Sequence, residues 1–97
     1  MIIAICISDK TNSLIGQAHL VTIENNEIID VQKEHIYIKD ENFLSLWVHN
    51  NHIEVLYMDN VPTKVKMFCR NWHVDVCDLS EVEATPILSK LFSEISI

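Results

Sequence analysis

Two aspartates, Asp9 and Asp59, stand just beyond apolar runs at residues 2–7 and 53–58. Carboxylates placed after buried strands meet when the strands are neighbours. Several carboxylates around two cations about 4 Å apart are what two-metal phosphoryl transfer needs. The pattern falls short of that chemistry, because Asp9 lies past its run rather than inside it. The first helical pattern offers only Glu41, at its very start. The formal net charge is −7 and the pI is near 5.0, so no basic surface is available for nucleic acid. Lys64, Lys66 and Arg70 form the one loose basic group and read as a solvated helix face.

Five histidines and three cysteines raise metal binding. His49 and His52 are three residues apart, and Cys69 and His73 four apart, so each pair can share a helix face. Each pair supplies two ligands where a structural zinc site takes four. Interaction with a helix C-terminus accounts for such histidines more simply. His35 reads as solvated. Cys6, Cys69 and Cys77 are odd in number and lie within apolar patterns, which suits reduced core thiols in a reducing compartment. No Ser–His–Asp or Cys–His arrangement can be assembled by spacing, and no phosphate-loop motif is present.

These residues must be positioned by a single domain, since the chain has 97 residues. Hydrophobic residues make up 48% of it and charged residues 22%, enough for a packed core. No apolar stretch approaches the ~20 residues that cross a bilayer. The N-terminal apolar run has no basic flank and no small-residue cleavage site. The expectation is a soluble cytoplasmic protein with neither membrane nor nucleic-acid partners.

Residues 2–8 read as a strand buried on both faces, because the run is unbroken and rich in β-branched side chains. Residues 18–24 alternate, Asn25-Asn26 suits a tight hairpin, and residues 27–38 resume a strand that turns polar at Lys33-Glu34-His35, as an exposed edge would. The period then changes. Asp40 can cap a helix whose face is Phe43, Leu44, Trp47 and Val48, with an asparagine in the left-handed position that ends it. Residues 53–58 form a second buried strand. Pro62 opens a second helix with a stripe of Val61, Val65, Phe68, Cys69 and Trp72. Residues 74–79 form an edge strand. For the last helix, Ser80 with Glu83 is a capping box, but Thr85 as cap with Pro86 first avoids an interior proline and is preferred. The order β-β-β-α-β-α-β-α, with right-handed crossovers, gives an α/β fold. It has a mixed five-stranded sheet in the order 3-2-1-4-5 between two helical layers, the ribonuclease H-like arrangement.

Taken whole, the chain resembles the dinitrogenase iron–molybdenum cofactor biosynthesis family. The correspondence runs through residues 2–8, Gly16-Gln17-Ala18, Asn25-Asn26-Glu27-Ile28, residues 44–48, residues 53–58, the helix from Pro62, residues 74–79 and Glu83-Ala84-Thr85-Pro86. The resemblance implies a non-enzymatic accessory protein that carries an iron–sulfur or iron–molybdenum cofactor precursor, or another small anionic ligand. It also implies a metal-cluster assembly or redox protein as partner. Family members often carry histidine and phenylalanine before the glycine, where this chain has Leu14 and Ile15. They often have a glycine-rich turn where it has Asp59-Asn60-Val61, and Val61 hinders close approach of a ligand to the backbone. His19, three residues past the family's histidine position, is the substitute metal ligand that this reading offers.

In a sheet of this order the carboxyl ends of the first and fourth strands lie side by side, and ligands bind outside that edge. The expected site there is Asp9, Asn12 and Gly16 from the first loop, Asp59 and Asn60 from the other, and His19. Asp59 is also placed to cap the second helix. The functional expectation is a ligand-binding accessory protein whose metal site is degraded. The alternative is an interaction module acting through a sheet edge or helix face, or as a homodimer, and a divergent nuclease comes third.

Overall fold

The computed structural model describes residues 1–11 and 14–95. Five strands and four helices follow one another as β1 (Ile2–Ser8), β2 (Ile15–Glu24), β3 (Glu27–Tyr37), α1 (Glu41–Asn50), β4 (Val55–Tyr57), α2 (Thr63–Asn71), β5 (Asp75–Cys77), α3 (Ser80–Glu83) and α4 (Pro86–Ile95). The strands form one mixed sheet in the order β3-β2-β1-β4-β5. β1 is antiparallel to β2 and parallel to β4, so the first strand is the central one.

Alternation along β1 divides the core into two layers. Ala4 and Cys6 face α1 and α2, where they meet Leu44, Trp47, Val48, Val65 and Cys69. Ile3 and Ile5 face the other way, onto Val82 of α3 and Leu88 of α4. A strand covered on both faces has no polar side to show, which explains the unbroken apolar run. The Asn25-Asn26 hairpin forms as expected, both residues holding positive φ (53° and 62°). Asp40 caps α1, its carboxylate accepting from the Phe43 N–H at 2.9 Å. On the outer strand, Thr22 pairs with Asp30 but Ile23 pairs with Ile28. Ile29 is therefore a bulged residue, and the bulge and the charged outer side chains blunt the β3 edge.

Four local expectations are corrected. The left-handed residue after α1 is His52 (φ 55°), not Asn51, whose φ is −93°. Trp72 is 54% exposed rather than part of the buried stripe of α2, because that helix ends at Asn71 and the ring packs at a tilt against His49. Asp59 does not cap α2: Pro62 is the N-cap residue, no side chain caps that end, and the Asp59 carboxylate accepts from the Leu79 N–H instead. The last helix, α4, begins at Pro86 after Thr85 as preferred, but a separate one-turn α3 precedes it whose N-cap is Leu79, so the Ser80–Glu83 capping box does not form. Thr85 Oγ1 donates to the Glu81 carbonyl, so the threonine closes the first turn while its own carbonyl accepts from Ser89.

Among the described residues no helix is long and apolar enough to cross a membrane. Gly16 sits in β2, opposite Ser8 and Ile36. A Cβ there would lie 2.7 Å from Ile38 Cγ2 and 2.8 Å from the Ile7 carbonyl oxygen. The glycine allows this close approach. Gly16→Ala is expected to destabilise the fold by about 1–3 kcal/mol through overpacking, read as a lower denaturant midpoint with an unchanged slope.

Candidate functional site

The parallel pairing of β1 with β4 brings their carboxyl ends to one edge of the sheet. From there the chain leaves β1 toward β2 on one side and leaves β4 through α2 toward β5 on the other. Diverging connections open a crevice at such a switch point. The groove found there has a volume of about 270 Å³ and is lined by Cys6, Ile7, Ser8, Lys39, Asp59, Asn60 and Leu79. That is below the roughly 300–1,000 Å³ of pockets that enclose drug-sized ligands, and suits a small polar group.

Each wall has a local cause. Ser8 is the last residue of β1, where the chain leaves the core, and Lys39 stands between β3 and the cap of α1. The Asp59–Asn60 turn follows β4, and Asn60 holds φ 55°, which an asparagine tolerates better than most residues. One carboxylate oxygen of Asp59 accepts from the Leu79 N–H at 3.0 Å, fastening this turn to the segment after β5. Lys39, the Ser8 hydroxyl and the Asn60 amide are the groups able to donate to a ligand.

The expected site residues divide accordingly. Asp59 and Asn60 line the groove and Gly16 lies beside its rim, opposite Ser8. Asp9 does not line it. Its N–H donates to the Ile15 carbonyl, and its carboxylate accepts from both the Thr11 N–H and the Thr11 hydroxyl at 2.8 Å, which shapes the turn after β1. Asn12 lies outside the described residues. His19 is opposite Ile5, three pairs inward from Ser8, and is buried on the α4 side of the sheet. Sequence reasoning missed Lys39 and Ser8. The one available signal for Lys39 was a lone cation next to a helix cap, and only the folded crossing of two loops shows what it faces.

The soft donors do not fit a metal cluster. Burial pushes the Cys6 thiol up to about 12, with the Glu34 carboxylate acting in the same direction. Burial likewise raises Cys77 to about 11, helped by a hydrogen bond with Glu81 and by nearby carboxylates. In the metal-free chain both shifts disfavour the thiolate form that metals bind. Among the described residues no three His, Cys, Asp or Glu side chains gather to hold a metal ion. The His19 pKa is lowered by burial, and then by the Lys33 ammonium paired across the strands, with the Ile5 backbone opposing. Its Nδ1 is buried without a hydrogen-bond partner.

The chain matches no family model and no curated protein. Its structure is similar to the crystal structure of PH0822, with a TM-score of 0.64 at 14% sequence identity over 90% of each chain. At that identity the likeness concerns the fold alone.

A lowered histidine pKa has a consequence for stability. Below the ordinary histidine value of 6.5 the unfolded chain takes up a proton at His19 that the folded chain refuses. Stability is therefore full above about pH 6.5 and falls as the pH drops toward the lowered folded value. Denaturant midpoints measured from pH 7.5 to pH 5 should decline, and the decline should be smaller in His19→Gln, which cannot protonate there.

Proposed function

We propose that this is a small non-catalytic accessory protein that holds a small anionic ligand at the carboxyl edge of its sheet. The observation that carries the reading is the groove between the ends of β1 and β4, where Lys39, Ser8 and Asn60 face one space. The sheet order and the resemblance to the iron–molybdenum cofactor biosynthesis family support a ribonuclease H-like domain and a cytoplasmic role beside a metal-cluster assembly or redox protein. Within that reading the cluster itself is not held by this chain's own side chains. Burial disfavours the thiolate of Cys6 by the groove, and His19 is buried three pairs away.

A second reading, an interaction module, rests on the outer face of α1 and α2. Leu46, Met67 and Trp72 are each more than half exposed there, and the rings of His49 and Trp72 pack at a tilt with centroids 4.2 Å apart. A mass in solution that rises with concentration would favour that reading, with a second copy of the chain as partner.

The groove reading is tested by amide shifts under titration with inorganic phosphate at constant ionic strength. Saturable shifts at Ser8, Asp59 and Asn60 are expected, with affinity reduced about tenfold in Lys39→Gln, the loss of one charge-assisted contact. Anaerobic purification with iron–sulfur cluster should give no visible absorption band. A stoichiometric band lost in His19→Ala would return the protein to the cluster carriers, and manganese-dependent phosphodiesterase activity lost in Asp9→Asn would make it an enzyme.

A further inference from the structure

A concavity larger than the carboxyl-edge groove lies at the β5 edge of the sheet, beneath α2. It encloses about 550 Å³ and lies within the size range of small-molecule sites. Its floor is apolar: Met58 and Val61 are buried and Val74 and Val76 are half-buried. One wall is the α2 face carrying Lys66 and Arg70, with His73 just beyond the helix end. The two cations are four residues apart, so one stands about 6 Å along the helix from the other on the same face. Asp75 of β5 and Asp78 just after it also line the cleft.

No ion pair is formed among these charges. Among the described residues the one ion pair joins the N-terminal ammonium to Glu54, and it lies elsewhere. In a chain of net charge −7, two of only seven Lys and Arg thus face a shared cleft without a carboxylate partner. The strand edge adds polar groups. Asp75 N–H donates to the Glu54 carbonyl and Met58 N–H donates to the Cys77 carbonyl, so residues 75 and 77 turn toward β4. By alternation the N–H and C=O of Val76 turn outward, beside the cleft.

We propose that this cleft is a second ligand site, one that takes a small amphipathic anion: an apolar body against Met58, Val61 and Val76, with its carboxylate or phosphate held by Lys66 and Arg70. Apolar floor and paired donors are the two features that fix orientation in such sites. Guanidinium and ammonium donors to an oxyanion are the strong contacts, and the rest of the ligand gains by leaving water. Asp75 and Asp78 oppose any ligand with a second anionic end, and favour one whose far end donates a hydrogen bond. Asn60 lines both the cleft and the carboxyl-edge groove, but Lys66 and Arg70 belong to the cleft alone and Lys39 to the groove alone. The two sites are therefore separable by experiment.

The test is an amide-shift titration of the full chain with phenyl phosphate, phenylacetate and inorganic phosphate as separate arms. Saturable shifts are expected at Lys66, Arg70, Val74 and Val76, with the aryl anions binding more tightly than phosphate. The two aryl arms separate a phosphate from a carboxylate preference. The double variant Lys66→Gln, Arg70→Gln should weaken aryl-anion binding about tenfold or more, and Lys33→Gln, on the exposed β3 edge away from both openings, should leave it unchanged. Both changes are on exposed side chains, and thermal unfolding of each variant checks that it remains folded. No saturable shift around Lys66–Val76 in the unmodified chain, shifts confined to Ser8, Lys39 and Asp59, equal affinity in the double variant, or phosphate binding as tightly as phenyl phosphate would each overturn the proposal.

Discussion

Everything in this fold is hung on β1. Ile3, Ala4, Ile5 and Cys6 are buried to 2% exposure or less, and the strand is bonded on both sides, antiparallel to β2 over seven residues and parallel to β4 over three. A strand in that position must satisfy a sheet of opposite polarity on each flank and a helical layer on each face. Alternating side chains supply the two layers: Ala4 and Cys6 leave room for α1 and α2, while the larger Ile3 and Ile5 fill the side covered by α3 and α4. Fully burying an isoleucine is worth about 1.5–3 kcal/mol, so this one strand contributes a share comparable to the net stability of a small domain.

The same constraint explains where openings can form. Loops that leave neighbouring parallel strands in different directions cannot pack on each other. Here the divergence of the β1–β2 and β4–α2 connections leaves the groove between Ser8 and Asn60. The other opening has a different origin. β5 is only three residues long and is the last strand, so α2 overhangs an edge that no further strand fills. At the opposite edge β3 is eleven residues long, and the Ile29 bulge and outward charges such as Lys33 and Asp30 protect it. Shortness protects one edge and irregularity the other.

Much of this was legible in residue order because the signals were local. The 2–8 run, the Asn25-Asn26 turn and the Asp40 cap each act within a few residues, and together they dictate the element sequence from which the strand order follows. What sequence could not show were competitions between neighbouring groups. Asp59 had two hydrogen-bond donors to choose from, the start of α2 and the Leu79 N–H, and only the folded position of β5 decides for Leu79. Gly16 looked like a loop glycine near a ligand, yet the constraint on it is Ile38 packed across from it. The group of Lys66 and Arg70 looked like a solvated helix face. Its meaning changes once β5 lies under that face and no carboxylate pairs with it.

The two openings are divided by a single turn, and that has a bearing on how the protein can work. Asn60 contributes to both, and the turn is held by three restraints: the left-handed backbone at Asn60, the Asp59–Leu79 hydrogen bond, and Val61 buried beneath α2. A ligand on one side that draws the Asn60 amide toward itself removes a donor from the other side. The coupling between the sites is then negative, and by linkage it acts equally in both directions. A glycine-rich turn at this position would weaken all three restraints, leaving the two openings to act independently. As built, Asp59-Asn60-Val61 is a fixed partition between the two openings, with Asn60 lining both.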